Sequence, residues 1–271
     1  MKGRILVIAG SDSGGGAGIQ ADIKTITALN GFAATALTAL TAQNTRGVHG
    51  VHPVPPAFIR QQIEVVMADI GADAIKTGML GDAATINAVC DALRDCAAGV
   101  PVVVDPVMVA KGGHSLLAAA AVATLRARLL PMASVLTPNL PEAEALTGLT
   151  IKTVSDMRVA ASVLLSLGVP AVLLKGGHLD GDMVIDLLAT ADGIETFSAA
   201  RIVTRHTHGT GCTTASAVAA GLAQGMGLRD AVIRARAYVR AAIAGAPGFG
   251  AGHGPLDHAV TVDVSRLGLG E

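Results

Sequence analysis

The feature that most constrains this chain is its alternation of short apolar runs with stretches whose apolar residues recur at helical spacing. Residues 4–9 predict a strand, residues 17–29 a helix, residues 32–40 a strand and residues 56–68 a helix carrying Ile59, Ile63, Val66 and Met67 on one face. The pattern continues with a strand at 74–76, a helix at 83–95, a strand at 102–104, a helix at 116–129 and a strand at 134–136. Helices at 142–146 and 156–167 then precede a strand at 171–174. Strands at 183–188 and 195–197 have no helix between them, which predicts a hairpin at a sheet edge. Two apolar helices, at 212–224 and 229–244, lead into a glycine-rich tail at 245–254. An alternating order of this kind predicts a doubly wound α/β fold, with a mostly parallel central sheet and helices on both faces. No repeat and no dividing linker is visible, so residues 1–271 are read as a single domain.

Composition narrows the function classes. Hydrophobic residues make up 51 % of the chain but aromatic residues only 2 %, so the core must be built from Ala, Val, Leu and Ile. A formal net charge of −1 without a basic block excludes a dedicated nucleic-acid binder. Cys90, Cys96 and Cys212 form no CxxC pair, which argues against a disulfide framework or structural zinc and fits a reducing, cytoplasmic setting. The apolar run at 5–9 is too short for a signal peptide. The uncharged stretch at 25–45 is broken by Asn30-Gly31 and is read as helix end, turn and buried strand rather than a membrane span.

Ligands of such sheets bind beyond the carboxyl ends of the strands. Polar or glycine-rich groups follow nearly every strand there: Gly10-Ser11-Asp12, Gln43-Asn44-Thr45, Thr77-Gly78-Met79, Asp105-Pro106, Asn139 with Glu142, and Lys175-Gly176-Gly177-His178. Taken singly, each reads as a turn; six on one edge point to a site. The sharpest signal is His208-Gly209-Thr210-Gly211-Cys212, which opens an apolar helix. Glycines at a helix start expose backbone N–H groups and the positive end of the macrodipole to an anion, and a phosphoryl group in transfer suits that position. The alternative is a Gly-Thr-Gly turn that only lets the helix pack closely. Cys212 reads either as a base whose thiol pKa is lowered by the helix terminus or as a small buried apolar residue.

No GxxxxGK[ST] and no GxGxxG occurs, which excludes a P-loop enzyme and weakens a nicotinamide-cofactor reading. Mg2+ usually arrives with phosphates and takes one or two carboxylates. Asp105 and Glu142 are the candidates, and Lys175 is a candidate point charge for the phosphate tail.

Taken together, these segments resemble bacterial hydroxymethylpyrimidine/phosphomethylpyrimidine kinases of thiamine biosynthesis, in the ribokinase-like superfamily. The resemblance covers essentially the whole chain. It rests on Ala9-Gly10-Ser11-Asp12 with residues 15–22, Thr41-Ala42-Gln43-Asn44-Thr45, Lys76-Thr77-Gly78-Met79-Leu80, Asp105-Pro106-Val107-Met108, residues 137–143, Lys175-Gly176-Gly177-His178 and His208-Gly209-Thr210-Gly211-Cys212. It implies two successive ATP-dependent phosphorylations of an aminopyrimidine alcohol, and a homodimer, which the apolar edge strands and low charge also suit. Gln43 is implied to bind the pyrimidine, with Gly10, Asp22, Met79 and Val107 around it. Asn139 and Glu142 would organise magnesium and water, Asp105 would lie near the phosphate site, and Lys175 would touch the nucleotide phosphates. Gly209, Thr210 and Gly211 would form the anion hole, with Cys212 as the base. Sugar kinases of the superfamily usually carry Asp at that position, so Cys212 points to the pyrimidine or pyridoxal branch. The chain departs from the family at Ala110-Lys111-Gly112-Gly113, where a Ser-Lys-Ser-Gly or Thr-Lys-Ser-Gly flap is expected; Lys111 remains to meet phosphate. Pyridoxal kinase is the alternative enzyme. A sugar or nucleoside kinase is disfavoured by Cys212, and a nucleotide-binding relic by the retention of Lys175, Glu142, Asp105 and Cys212.

Overall fold

The computed structural model describes residues 2–108, 116–117, 119–263 and 265. Among them, nine strands form one sheet in the order β3-β2-β1-β4-β5-β6-β7-β8-β9. These are β1 (Arg4–Asp12), β2 (Phe32–Asn44), β3 (Gly47–Pro53), β4 (Ala74–Thr77), β5 (Val102–Val104), β6 (Val135–Leu136), β7 (Ala171–Lys175), β8 (Met183–Thr190) and β9 (Gly193–Ala200). Pairing is parallel from β2 through β1, β4, β5 and β6 to β7, and antiparallel at β2–β3, β7–β8 and β8–β9. The hairpin expected at a sheet edge is β8–β9.

Side-chain alternation along the central strands builds a core on each face. Leu6 and Ile8 of β1, Val102 and Val104 of β5, and Val172 and Leu174 of β7 point into one core. It is covered by α2 (Pro56–Asp69), α3 (Ala83–Cys96), α4 (Ala119–Thr124), α5 (Leu140–Thr147) and α6 (Val154–Ser166). Ile5, Val7, Val103 and Leu173 point the other way, against α1 (Gly18–Ala28), α7 (Thr210–Ala223) and α8 (Leu228–Ala244). Helix α7 is buried along most of its length, and its Ala215, Ala217, Ala219 and Ala220 let it lie close to the sheet, α1 and α8. Small residues thus set the distance between layers where aromatic ones are scarce.

Three local differences from the sequence pattern have physical causes. Strand β1 runs on through Gly10-Ser11-Asp12, because after an irregularity at Ala9/Ser11 the register resumes as Ser11↔Leu40 and Asp12↔Thr41. Strand β3 has no apolar run and is largely exposed; it is held as an antiparallel edge by its pairing to β2. The helix expected over 116–129 is described from Ala119, widens to i→i+5 bonding at Leu125–Leu129 and tightens into a 3₁₀ turn at Leu130–Met132. Pro131 in that turn supplies no backbone N–H, so a regular helix cannot continue through it. The Ala110–Gly113 flap, with Lys111, lies outside the described residues.

Candidate active site

The carboxyl ends of β1, β4, β5, β6 and β7 and the start of α7 enclose a cavity of about 600 Å³. Gly10, Gln43, Met79 and Val107 line one end, and Asp105, Asn139, Glu142, Lys175, Gly209, Thr210, Gly211 and Cys212 the other. Ile202, Val239 and Ile243 also line the cavity, interleaved with Arg201, Arg236 and Arg240. Asp22 is absent from this wall. It lies beneath the floor, fully buried, with both carboxylate oxygens on Lys76 Nζ at 2.9 and 3.0 Å, and it accepts a 2.6 Å hydrogen bond from Ser216 Oγ. Burial is the largest influence on Lys76 and opposes its charge, but Asp22, Cys212 and Asp105 together outweigh it and hold the ammonium above its ordinary value.

Helix α7 starts at Gly209, whose φ of +85° is left-handed. A Cβ there would stand 1.8 Å from the Gly16 carbonyl oxygen, so conformation and space both demand glycine. No side chain caps this terminus, and the first N–H groups of a helix have no partner within it. Opposite them, Lys175 Nζ lies 3.3 Å from Asp105 Oδ1, while Asp105 Oδ2 is buried without a partner. A Cβ on Gly211 would stand 3.3 Å from Lys175 Nζ and 3.8 Å from that orphaned oxygen, so the glycine keeps open the space between helix terminus and ion pair.

Helix α5 begins on the same wall. Asn139 Oδ1 accepts from the Glu142 N–H at 3.0 Å and Glu142 Oε2 accepts from the Asn139 N–H at 2.8 Å, a complete capping box. Burial pushes the Glu142 carboxyl up to about 7; Lys175 opposes this and Asp105 adds to it. Lys175 itself is held above its ordinary value, because Asp105 and Glu142 outweigh its burial.

Cys212 differs from its sequence-based reading. Burial pushes its thiol up to about 12, with Lys76 only partly offsetting the effect, so the positive helix end does not produce a thiolate in this state. Removal of water outweighs both nearby positive sources. A base role for Cys212 therefore requires its own proton to leave first.

Around Gln43 the cavity wall is a closed polar network. Asp12 accepts from the N–H groups of Gly14, Gly16 and Ala17 at 2.8, 3.1 and 2.8 Å, and His208 Nε2 lies 2.8 Å from its Oδ2. Burial works against the Asp12 charge, yet His208 and these backbone donors hold its carboxyl below the ordinary value. Gln43 lies beside them with its amide nitrogen 3.2 Å from His208 Nε2.

Residues 12–257 match the family model described as phosphomethylpyrimidine kinase. The chain belongs to the phosphomethylpyrimidine kinase family. It is 50 % identical over 254 residues to a hydroxymethylpyrimidine/phosphomethylpyrimidine kinase of Streptomyces coelicolor, covering 94 % of this chain and 93 % of that one. It is 52 % identical over 265 residues to the thiamine biosynthesis bifunctional protein ThiED of Geobacter sulfurreducens, covering 98 % of this chain but only 54 % of that protein. Among solved structures, pyridoxal kinase from Staphylococcus aureus in complex with AMP-PCP and pyridoxal superposes with a TM-score of 0.89 at 36 % identity, covering 97 % of this chain and 96 % of that one. The fold of this kinase is accordingly ribokinase-like.

Three residues with no role assigned from the sequence stand in the site of this kinase: Lys76, Asp12 and His208. A signal for Lys76 was present, since a lysine inside an apolar strand demands a buried partner. The Asp12–His208 pair spans nearly the whole chain, and one sequence carries no mark of it.

Proposed function

We propose that this kinase transfers the γ-phosphoryl group of ATP to the hydroxymethyl oxygen of 4-amino-5-hydroxymethyl-2-methylpyrimidine, and then phosphorylates that monophosphate to the diphosphate, in thiamine biosynthesis. One observation carries the reading: the uncapped start of α7 faces Lys175 and Asp105 in the same cavity that Gln43 lines. The N–H groups around Thr210-Gly211 meet the charge that develops on the transferring group. Lys175 holds the phosphate tail, and Ile202, Val239 and Ile243 offer apolar surface to the base of the nucleotide, with Arg201, Arg236 and Arg240 beside them. Gln43 orients the pyrimidine, with Gly10, Met79 and Val107 around it, while Asp22 acts from below through Lys76. Once Cys212 has released its own proton to solvent, its thiolate takes the alcohol proton as that oxygen bonds phosphorus, the bond from phosphorus to the ADP oxygen breaks and ADP departs.

The residues fit Mg2+ delivered with the nucleotide. Among the described residues no group of three His, Cys, Asp or Glu side chains forms a protein cage, whereas the unpartnered Asp105 oxygen and Glu142 offer hard donors beside the phosphate position. Bound there, the ion would draw charge from the phosphate oxygens; Asn139 would orient its water. The exposed edge strand β3, with Val51 open to solvent, supports a homodimer, testable by light scattering. The kinase is read as a cytoplasmic enzyme acting on small molecules; among the described residues no helix is long and apolar enough to cross a membrane.

A coupled ADP-release assay with hydroxymethylpyrimidine, pyridoxal and ribose side by side tests the assignment. Turnover is expected to be fastest with the pyrimidine. Preference for pyridoxal would move the chain to the second reading, which the likeness to the Staphylococcus aureus pyridoxal kinase favours. No turnover on any of the three would leave a nucleotide-binding protein.

A further inference from the structure

The hydrogen atoms of the Asp12–His208–Gln43 network can be placed by elimination. Three backbone N–H groups point at the Asp12 carboxylate, which leaves it an acceptor toward every other neighbour. His208 Nε2, 2.8 Å from Asp12 Oδ2, therefore carries a hydrogen whether the ring is neutral or cationic. The Gln43 amide nitrogen lies 3.2 Å from the same ring nitrogen, and two donors cannot satisfy each other. A half-turn of the amide replaces this clash with its carbonyl oxygen, which shares the one Nε2 hydrogen with Asp12 Oδ2 in a three-centre hydrogen bond. The same half-turn brings the amide NH₂ to the position 3.2 Å from Thr41 Oγ1. That hydroxyl is free to accept there, because its single hydrogen is donated to the Ser11 carbonyl at 2.8 Å. Both ends of the amide are then satisfied, and only one of its two rotamers achieves this.

We propose that His208 is a specificity-determining positioning residue: braced by Asp12, its ring N–H fixes the Gln43 amide in one orientation, so that the remaining N–H and carbonyl lone pair meet the substrate ring in a set order. The class of ring selected is one with an acceptor nitrogen beside an exocyclic amino donor. A ring with nitrogen but no adjacent amino group, such as pyridoxine, leaves the carbonyl lone pair that faces it without a donor and is disfavoured, since buried polar groups left partly unpaired discriminate against the wrong ligand. His208 immediately precedes Gly209, and its own N–H donates to the Gly254 carbonyl at 3.2 Å, so the ring that sets substrate orientation hangs from the loop that starts α7. This inference rests on the reading that Gln43 meets the pyrimidine.

Two variants and one spectrum test it. In His208→Leu the ratio of kcat/KM for the aminopyrimidine over pyridoxine should fall about tenfold while KM for ATP stays within about twofold. His208→Gln, which returns an N–H donor near the lost ring position, should recover most of the ratio. Equal losses on both alcohols, or an equal rise in KM for ATP, would show that the residue merely supports the fold and would overturn the proposal. Gln43→Leu separates the premise from the inference. If it leaves the ratio unchanged, Gln43 does not read the ring and both fall. If it lowers the ratio while His208→Leu does not, only the role of His208 falls. Should His208→Leu fail to fold, nitrogen NMR of the native kinase decides, with His208 identified by its loss in His208→Gln. A hydrogen on Nε2 is expected, and a bare Nε2 overturns the scheme.

Discussion

Helices α5 and α7 both begin on the cavity wall, yet their first turns are finished in opposite ways. At α5, Asn139 and Glu142 close the terminus with reciprocal hydrogen bonds and a carboxyl in the first turn. At α7 a left-handed glycine replaces any capping side chain, and the first turn brings a second glycine and a thiol, none of which places a negative charge there. Capping is worth about 1 kcal/mol, so leaving a terminus bare is a local loss of stability. That loss is tolerated at α7, where a ligand can supply the missing acceptor. At α5 the protein supplies it, and the same carboxylate is thereby held in place beside the phosphate position. One terminus is finished by the chain and the other, in the proposed reading, is left for the nucleotide.

Filling the open terminus should do the greatest damage. Gly209→Ala forces a side chain into a left-handed backbone and into the Gly16 carbonyl, and should lower kcat by about 10³-fold together with a clear fall in melting temperature. Turnover near normal would mean that α7 does not hold the phosphoryl group. Cys212→Ala, which leaves the helix intact, should lower kcat by about 10²–10⁴ with a smaller change in KM. Because burial keeps the thiol protonated, iodoacetamide should label Cys212 of the ligand-free kinase more slowly than a free cysteine at pH 8 and faster as pH rises; peptide mapping distinguishes it from Cys90 and Cys96. Rapid labelling at neutral pH would restore the thiolate that the helix terminus alone suggests.

At the closed terminus the effects should be smaller. Asn139→Ala removes half of the capping box and should cost about 1 kcal/mol, seen as a melting temperature lower by roughly 2–4 °C. Its loss of kcat should be well below that of Gly209→Ala, and the reverse order would exchange the roles of the two helices. The subtlest test concerns Glu142. Its carboxyl is raised from 4.5 to about 7 in the folded state, so folding takes up a proton between those values. The stability this contributes is present below the unfolded value and is lost as pH rises through about 7. In chelator-treated samples the parent kinase should lose stability relative to Glu142→Gln across that window, and parallel melting curves would place Glu142 in a less buried setting.

Much of this architecture was legible because buried parallel strands are continuous apolar runs and their helices repeat with helical spacing. Residues 102–104 and the helix pair after Thr210 are clear instances. Strand β3 was hidden because an exposed antiparallel edge needs no hydrophobic run, and its two glycines and two histidines resemble a loop. The cavity wall was largely readable from the strand ends, since topology alone brings Gly10, Asp105, Asn139 and Lys175 to one edge. Electrostatics was harder. The helix rule predicts a lowered thiol pKa at Cys212, but only the packed structure shows the burial that reverses it. Asp22 reads as a wall residue in the opening segment, yet β4 inserts Lys76 between it and the cavity.

That concealed ion pair restricts how the kinase can change. Asp22, Lys76 and Ser216 come from three separate elements and share one set of hydrogen bonds without access to water. Losing one partner would strand a charge in the interior at a cost of about 3–5 kcal/mol, whereas exchanging the pair together for apolar residues is often far milder. Stepwise substitution is therefore blocked at these positions while concerted replacement is open. Anyone grafting this reaction centre onto another scaffold would have to carry the three residues across as a single unit.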